Sequence, residues 1–152
     1  MSSYGSRRPQ TQQGSPKPPN WDVIMGKDPV ASAKELVRSA EAWGRYLAQD
    51  LKLSTSQIRT VFGEVRRIEM SWAPGETNAT TATSDLLLLK PKLAYQAARD
   101  AEKNRRTTPV QALANILTPG IDRIGTDRDR FQRFVDFFEA VLAYHKAAGG
   151  KS

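Results

Sequence analysis

Phe131 to Lys146 reads FQRFVDFFEAVLAYHK, and the spacing of its apolar residues decides the fold class. Phe131, Phe134, Val135, Phe138, Val141, Leu142 and His145 recur at intervals of three and four. A helix of 3.6 residues per turn gathers them on one face. A strand would need alternation with period two, which this stretch lacks. Thr126 is the expected start and Gly149-Gly150 the stop.

The same period continues toward the N-terminus. Thr108-Pro109 opens a short helix carrying Val110, Leu113 and Leu117, which Pro119-Gly120 is expected to stop. Another helix should begin near Ser84 or Asp85, with Leu86, Leu89, Leu93 and Ala97 on one face. Its run Leu86–Leu89 is apolar all round, so its start is expected to be buried. Pro91 should kink or restart it, because proline lacks an N–H and crowds the preceding turn. The polar stretch Ala73–Thr83 reads as a loop. Ser54 and Gln57 form a capping box for a helix with the stripe Ile58, Val61, Phe62, Val65, Ile68 and Trp72. Asp28-Pro29 starts an earlier helix bearing Ala33, Leu36, Val37, Ala40, Trp43 and Leu47, to about Gln49.

No segment reads convincingly as a strand and no internal repeat is visible. The expected fold is therefore an all-α compact bundle of about five helices, with a disordered basic N-terminal arm. The divisions are residues 1–20 for the arm, 21–148 for the bundle and 149–152 for a flexible tail. The arm holds Arg7, Arg8 and Lys17, no acidic residue, and one aromatic, Tyr4, too little to offset the entropy of ordering. Pro16 to Pro19 fits a proline-module ligand, a pattern common in flexible tails.

With 152 residues, 39% of them hydrophobic and 26% charged, the chain suits one globular domain. No apolar run approaches the ~20 residues of a membrane span. The first residues lack the apolar core of a secretory signal, so the expected location is the cytoplasm and Asn78-Ala79-Thr80 is discounted as a glycosylation acceptor. The absence of cysteine excludes disulfides, thiolate metal sites and a cysteine nucleophile. One histidine, His145, leaves no histidine pair for zinc, and it lies on an apolar stripe, where a core role is expected. Asp122, Asp127 and Asp129 lack the glycine and distal glutamate of a calcium loop. Gly26-Lys27 lacks the upstream glycine of a phosphate-binding loop. Neither an enzyme nor a cofactor is expected.

The basic residues say more. A net charge of +7 favours a polyanionic partner. Arg59, Arg66 and Arg67 project roughly opposite the apolar stripe of their helix. Lys92, Arg99 and Lys103 fall within about 40° of one another, and Arg105 and Arg106 extend that charge. Arg130, Arg133, Phe137 and Tyr144 form a second stripe beside the apolar one, mixing guanidinium groups with rings as a surface for phosphates and unstacked bases would. Charged outer faces are also what soluble helices ordinarily present, and Phe137 would equally widen the core. The pattern by itself separates neither RNA from DNA nor a binding face from a solvated one. Trp72, Phe137 and Tyr144 are expected to leave aromatic surface open to partners or to another copy of the chain.

Three segments together resemble the small subunit of type III-A CRISPR effector complexes, the Csm small-subunit family. They are Leu53–Glu69 (LSTSQIRTVFGEVRRIE), Leu86–Arg99 (LLLLKPKLAYQAAR) and Phe131–Lys146, and the middle one is the most specific. The resemblance runs from about Val30 to Lys146 and leaves out the arm. It implies a helical, non-catalytic subunit that stacks in several copies along a ribonucleoprotein filament. Its partners would be the repeating backbone subunit, the large subunit, copies of itself, the guide RNA and the target RNA paired to it. The family's basic residues fall on Arg59, Arg66, Arg67, Lys90, Lys92, Arg99 and Arg133, although Lys90 projects near the apolar face. Phosphate contacts are then expected from Arg59, Arg66, Lys92 and Arg99, supported by Tyr95, since base pairing already supplies sequence recognition. The competing expectation is a helical protein–protein adaptor without direct RNA binding.

Overall fold

The apolar stripe of Phe131–His145 becomes the inner face of a helix that meets most of the others. The computed structural model of the protein describes residues 14–73, 79–104 and 109–150, without the side chains of Lys103 and Asn104. Its elements are α1 (Trp21–Ile24), α2 (Pro29–Arg45) with a π-helical turn at Tyr46–Asp50, α3 (Thr55–Ser71), α4 (Ala79–Asn104), α5 (Pro109–Ile124) and α6 (Arg128–Ala147). No strand occurs among the described residues. The all-α bundle is as expected, with the four-residue α1 added to the five helices anticipated.

Phe131, Phe134, Phe137 and Phe138 of α6 are all fully buried. Each meets a ring from elsewhere in the chain. Trp21 of α1 lies 5.6 Å from Phe134 and 4.8 Å from Phe137; Phe62 of α3 lies 5.0 Å from Phe138; Trp72 stacks on Phe131 at 5.2 Å. Phe137 therefore belongs to the core rather than to an outer stripe. Trp72, only 1% exposed, is likewise closed off, with the Arg128 guanidinium over its ring. The open aromatic surface expected at these two positions does not exist.

The most extensive pairing joins α2 to α6. Ser32, Ser39, Ala40, Trp43 and Gly44 are its buried residues on α2, whereas Ala33 and Val37 face outward. Small residues hold the inner face because the helices approach closely: a Cβ on Gly44 would lie 2.7 Å from Tyr144 Cβ and 2.9 Å from the His145 nitrogen. His145 is buried as expected, with Nε2 2.6 Å from the Leu53 carbonyl oxygen. A carbonyl only accepts, so Nε2 carries the proton. The chain before α1 also contacts α2: the Trp43 indole donates to the Lys17 carbonyl at 3.0 Å, and the Asn20 amide donates to Glu35 at 2.9 Å.

The capping box at Ser54 and Gln57 is present, and Asp28 and Asp127 cap α2 and α6 through their side chains. The C-terminus of α6 closes as a Schellman turn, with Gly149 at φ 90° and the Gly150 amide donating to the His145 carbonyl at 2.9 Å.

One proline behaves differently from its local reading. α5 does not stop at Pro119-Gly120 but runs on to Ile124. Trp21 explains the continuation: its indole donates to the Ile116 carbonyl at 3.0 Å, in the turn that Pro119 disturbs, and Gly120 leaves room for the ring. At Pro91, where a kink or a restart is expected, α4 does not restart but runs through as one helix. It also begins earlier than Ser84. The expected loop shrinks because Ala82 is buried in register with Leu86 and Leu89, and Thr83 donates to the Gly125 carbonyl at 2.8 Å. Leu87 and Leu88 are 50% and 57% exposed, so the leucine run is half open, not buried all round.

Glycine replacements separate the close approach from ordinary helix propensity. Gly44→Ala forces overlap at α2–α6 and should cost about 1–3 kcal/mol, lowering Tm by about 2–4 °C per kcal/mol. Gly63→Ala, in the exposed middle of α3 with nothing within 4 Å of a new Cβ, should instead gain about 0.5–1 kcal/mol. Thermal melts followed by circular dichroism check both signs.

Candidate nucleic-acid interface

The basic residues singled out in the sequence do not gather on one surface. α3 places its cations on two sides of its apolar stripe. Glu64 and Arg67 lie on the side of α4, and Arg66 lies on the side of α6, where Glu139 comes within 4.0 Å. Arg66 also donates to Glu69 at 2.7 Å and lies over the Phe62 ring at 5.9 Å. Arg59, seven residues before Arg66 and thus near it around the helix, is exposed and makes no ion pair among the described residues.

On α4 the spacing Lys92, Tyr95, Arg99 brings one face alongside α3. A cleft of about 410 Å³ between the helices is lined by Thr60, Val61, Glu64, Lys92, Tyr95 and Gln96, among others. Its neighbour, toward the start of α3, adds Arg99 and Ser56. Tyr95 is 62% exposed, and the Arg99 guanidinium lies 5.9 Å from its ring centroid. Arg99 makes no ion pair among the described residues. This α3–α4 shoulder, carrying Arg67, Lys92, Tyr95 and Arg99, is the candidate interface: cations on either side of an open ring, over an apolar floor.

The remaining candidates lie elsewhere. Lys90 turns to α5 and pairs with Asp122 at 2.7 Å. Arg133 donates to the Ile24 carbonyl at 3.3 Å and to the Ser32 hydroxyl, tying α6 to α1 and α2. Arg130 donates to the Arg123 carbonyl at 3.0 Å and lies 3.6 Å from Asp127. The side chain of Lys103, and all of Arg105 and Arg106, fall outside the described residues. So does Asn78. Among the described residues no group of three or more His, Cys, Asp or Glu could hold a metal ion, and no helix is long and apolar enough to cross a membrane.

Sequence reading missed the carboxylates that meet these cations. Glu64 Oε1 receives Lys92 Nζ at 2.7 Å and Arg67 Nη2 at 3.2 Å. The Glu64–Arg67 pair is visible in sequence as an i, i+3 spacing. The Glu64–Lys92 pair crosses two helices and is not. The Lys92 hydrogen bond, then the Arg67 one, holds the Glu64 carboxyl below the ordinary carboxylate range. A carboxyl with a lowered folded pKa contributes stability that is present above its unfolded pKa and lost as pH falls through its folded pKa. Glu64→Gln should therefore melt below wild type at pH 7, with the gap narrowing as the pH is lowered toward 3. Thermal melts at the two pH values check this.

Residues 31–151 match the family model described as Csm2 Type III-A. No curated protein and no solved structure matches the chain. The family match begins in the first turn of α2 and passes the end of α6, so it takes in the α3–α4 shoulder and the whole α6 core. On that span the chain belongs to the Csm2 type III-A family, the small structural subunit of the type III-A CRISPR complex.

Proposed function

We propose that the chain is a non-catalytic subunit that stacks in several copies along a type III-A RNA-guided complex in the cytoplasm and contacts the guide–target RNA backbone through its basic helix faces. The observation that carries this reading is the α3–α4 shoulder, where exposed Arg99 and Tyr95 stand beside Lys92 and Arg67. A guide–target duplex needs no base-reading code from protein, and a row of cations with one open ring offers none. Arg99 and Lys92 are seven residues apart, about 10.5 Å along the helix. They flank Tyr95, so a strand along α4 can place phosphates at both ends and a nucleotide against the ring. Arg59, on the other side of α3, offers a separate phosphate contact. Arg130 and Arg133, held to backbone carbonyls near the start of α6, are weaker candidates, because RNA would have to displace those bonds.

The adaptor reading has its own support. Leu87 and Leu88 are exposed on α4, and Met70 is 81% exposed on α3. Apolar groups of this kind suit contact with a protein neighbour. We assign them to partner subunits: the repeating backbone subunit, the large subunit or a second copy of this chain. The two readings then describe different faces of one subunit.

Arg99→Ala and Arg59→Ala should each weaken RNA binding by the assembled complex about equally for all sequences. Each should reduce the salt dependence by about 0.7 in log–log slope per lost single-strand phosphate contact. Melting temperatures should stay near wild type, since neither arginine makes an ion pair among the described residues. Titrations of labelled target RNA at several salt concentrations check both. Unchanged affinity and slope in both variants would leave the adaptor reading standing alone.

A further inference from the structure

We propose that Glu64 is a specificity-determining residue of the α3–α4 shoulder: its carboxylate pairs with Lys92 and Arg67 in the free chain and competes with RNA phosphate for them. The inference rests on the reading of the shoulder as an RNA face. One oxygen, Oε1, accepts from both cations, at 2.7 Å from Lys92 and 3.2 Å from Arg67. Lys92 comes from α4 and Arg67 from α3, so a single acidic group ties up charge from both walls of the cleft. Arg99, on the same face of α4, makes no such pair. The shoulder thus offers one cation at once and holds two in reserve.

Carboxylate and phosphate make the same demand on an ammonium or guanidinium group, so they compete for it. Exposed ion pairs are weak enough to exchange. A loose RNA strand meeting one free subunit must compete with Glu64 for Lys92 and Arg67, whose charge the carboxylate already offsets. A strand already held along a stack of subunits meets the shoulder at a raised effective concentration, and the exchange then proceeds. Glu64 in this way discriminates against stray RNA without reading any base. A glutamate carboxyl is ionised at neutral pH, as a competing anion must be.

The test uses the full chain with a labelled, unstructured single-stranded RNA at low salt, read by fluorescence anisotropy. Glu64→Gln should bind about three- to fivefold more tightly than wild type, with a log–log salt slope steeper by up to about 1.4 for two added phosphate contacts. Glu41→Gln makes the same charge change at an exposed pair with Arg45 on α2 and should change affinity much less. Glu64→Asp keeps the charge but shortens the reach, so any tightening there reports released cations rather than net charge. Melts accompany each variant, and the Asp variant carries the test if the Gln variant loses its fold. Equal tightening by Glu41→Gln, or no tightening by either Glu64 variant while Arg99→Ala still weakens binding, overturns the role of Glu64 and leaves the RNA face intact. No effect of Arg99→Ala removes the RNA face, and the role of Glu64 falls with it.

Discussion

The burial of four phenylalanine rings along α6 is the constraint on which the rest of the structure depends. Phe131, Phe134, Phe137 and Phe138 each find a ring from another element, so one helix aligns α1, α3 and the segment after α3 at once. Burying each side chain is worth about 1.5–3 kcal/mol, and a favourable ring pair adds about 0.5–1.5 kcal/mol. Net stabilities of domains are only about 5–15 kcal/mol, so the loss of any one ring is a large fraction of the whole. The close α2–α6 approach at Gly44 and the buried His145–Leu53 contact then set the height of α2 and the entry to α3. The α3–α4 shoulder is the outer consequence: α3 lies against α6, α4 lies against α3, and the groove between them forms the cleft, apolar at its floor and polar at its rim.

Much of this was legible in the residues. The stripes of α3, α4 and α6 and the capping box at Ser54 are local signals, and local chemistry decided them. The misses came where a distant residue overrode a local rule. Pro119-Gly120 is a stop signal by itself, yet Trp21, far away in sequence, bonds the Ile116 carbonyl and fills the space above Gly120. Ala33 and Val37 read as core by hydrophobicity, but the approach of α6 selects Ser32, Ser39 and Gly44 for their size. Ala79–Thr83 reads as loop by polarity, while Ala82 extends the buried register of α4 by a further turn. Leu87 and Leu88 show the converse, apolar residues that no element among the described residues covers.

The candidate site was legible in its cations and illegible in their partners. Charge counting and helical angles place Arg67, Lys92 and Arg99 on outward faces, and the fold brings these three to one shoulder with Tyr95. The same counting cannot see that Lys90 turns to Asp122 or that Arg133 reaches the Ile24 carbonyl, because those acceptors lie on other helices. Nor can it see that Glu64 joins α3 to α4. A basic stripe in sequence therefore overstates the free charge of the folded surface, and the carboxylates across the cleft decide how much remains for a polyanion.

The most direct measurement of the central claim is ultraviolet cross-linking of the assembled complex to target RNA, with the linked peptides read by mass spectrometry. The account predicts RNA attached within Lys92–Arg99, at or beside Tyr95, in the wild-type complex, and its loss from that segment in a Tyr95→Ala complex that still assembles. Cross-links confined to the start of α6 around Arg130 and Arg133, with none on α4, would contradict it.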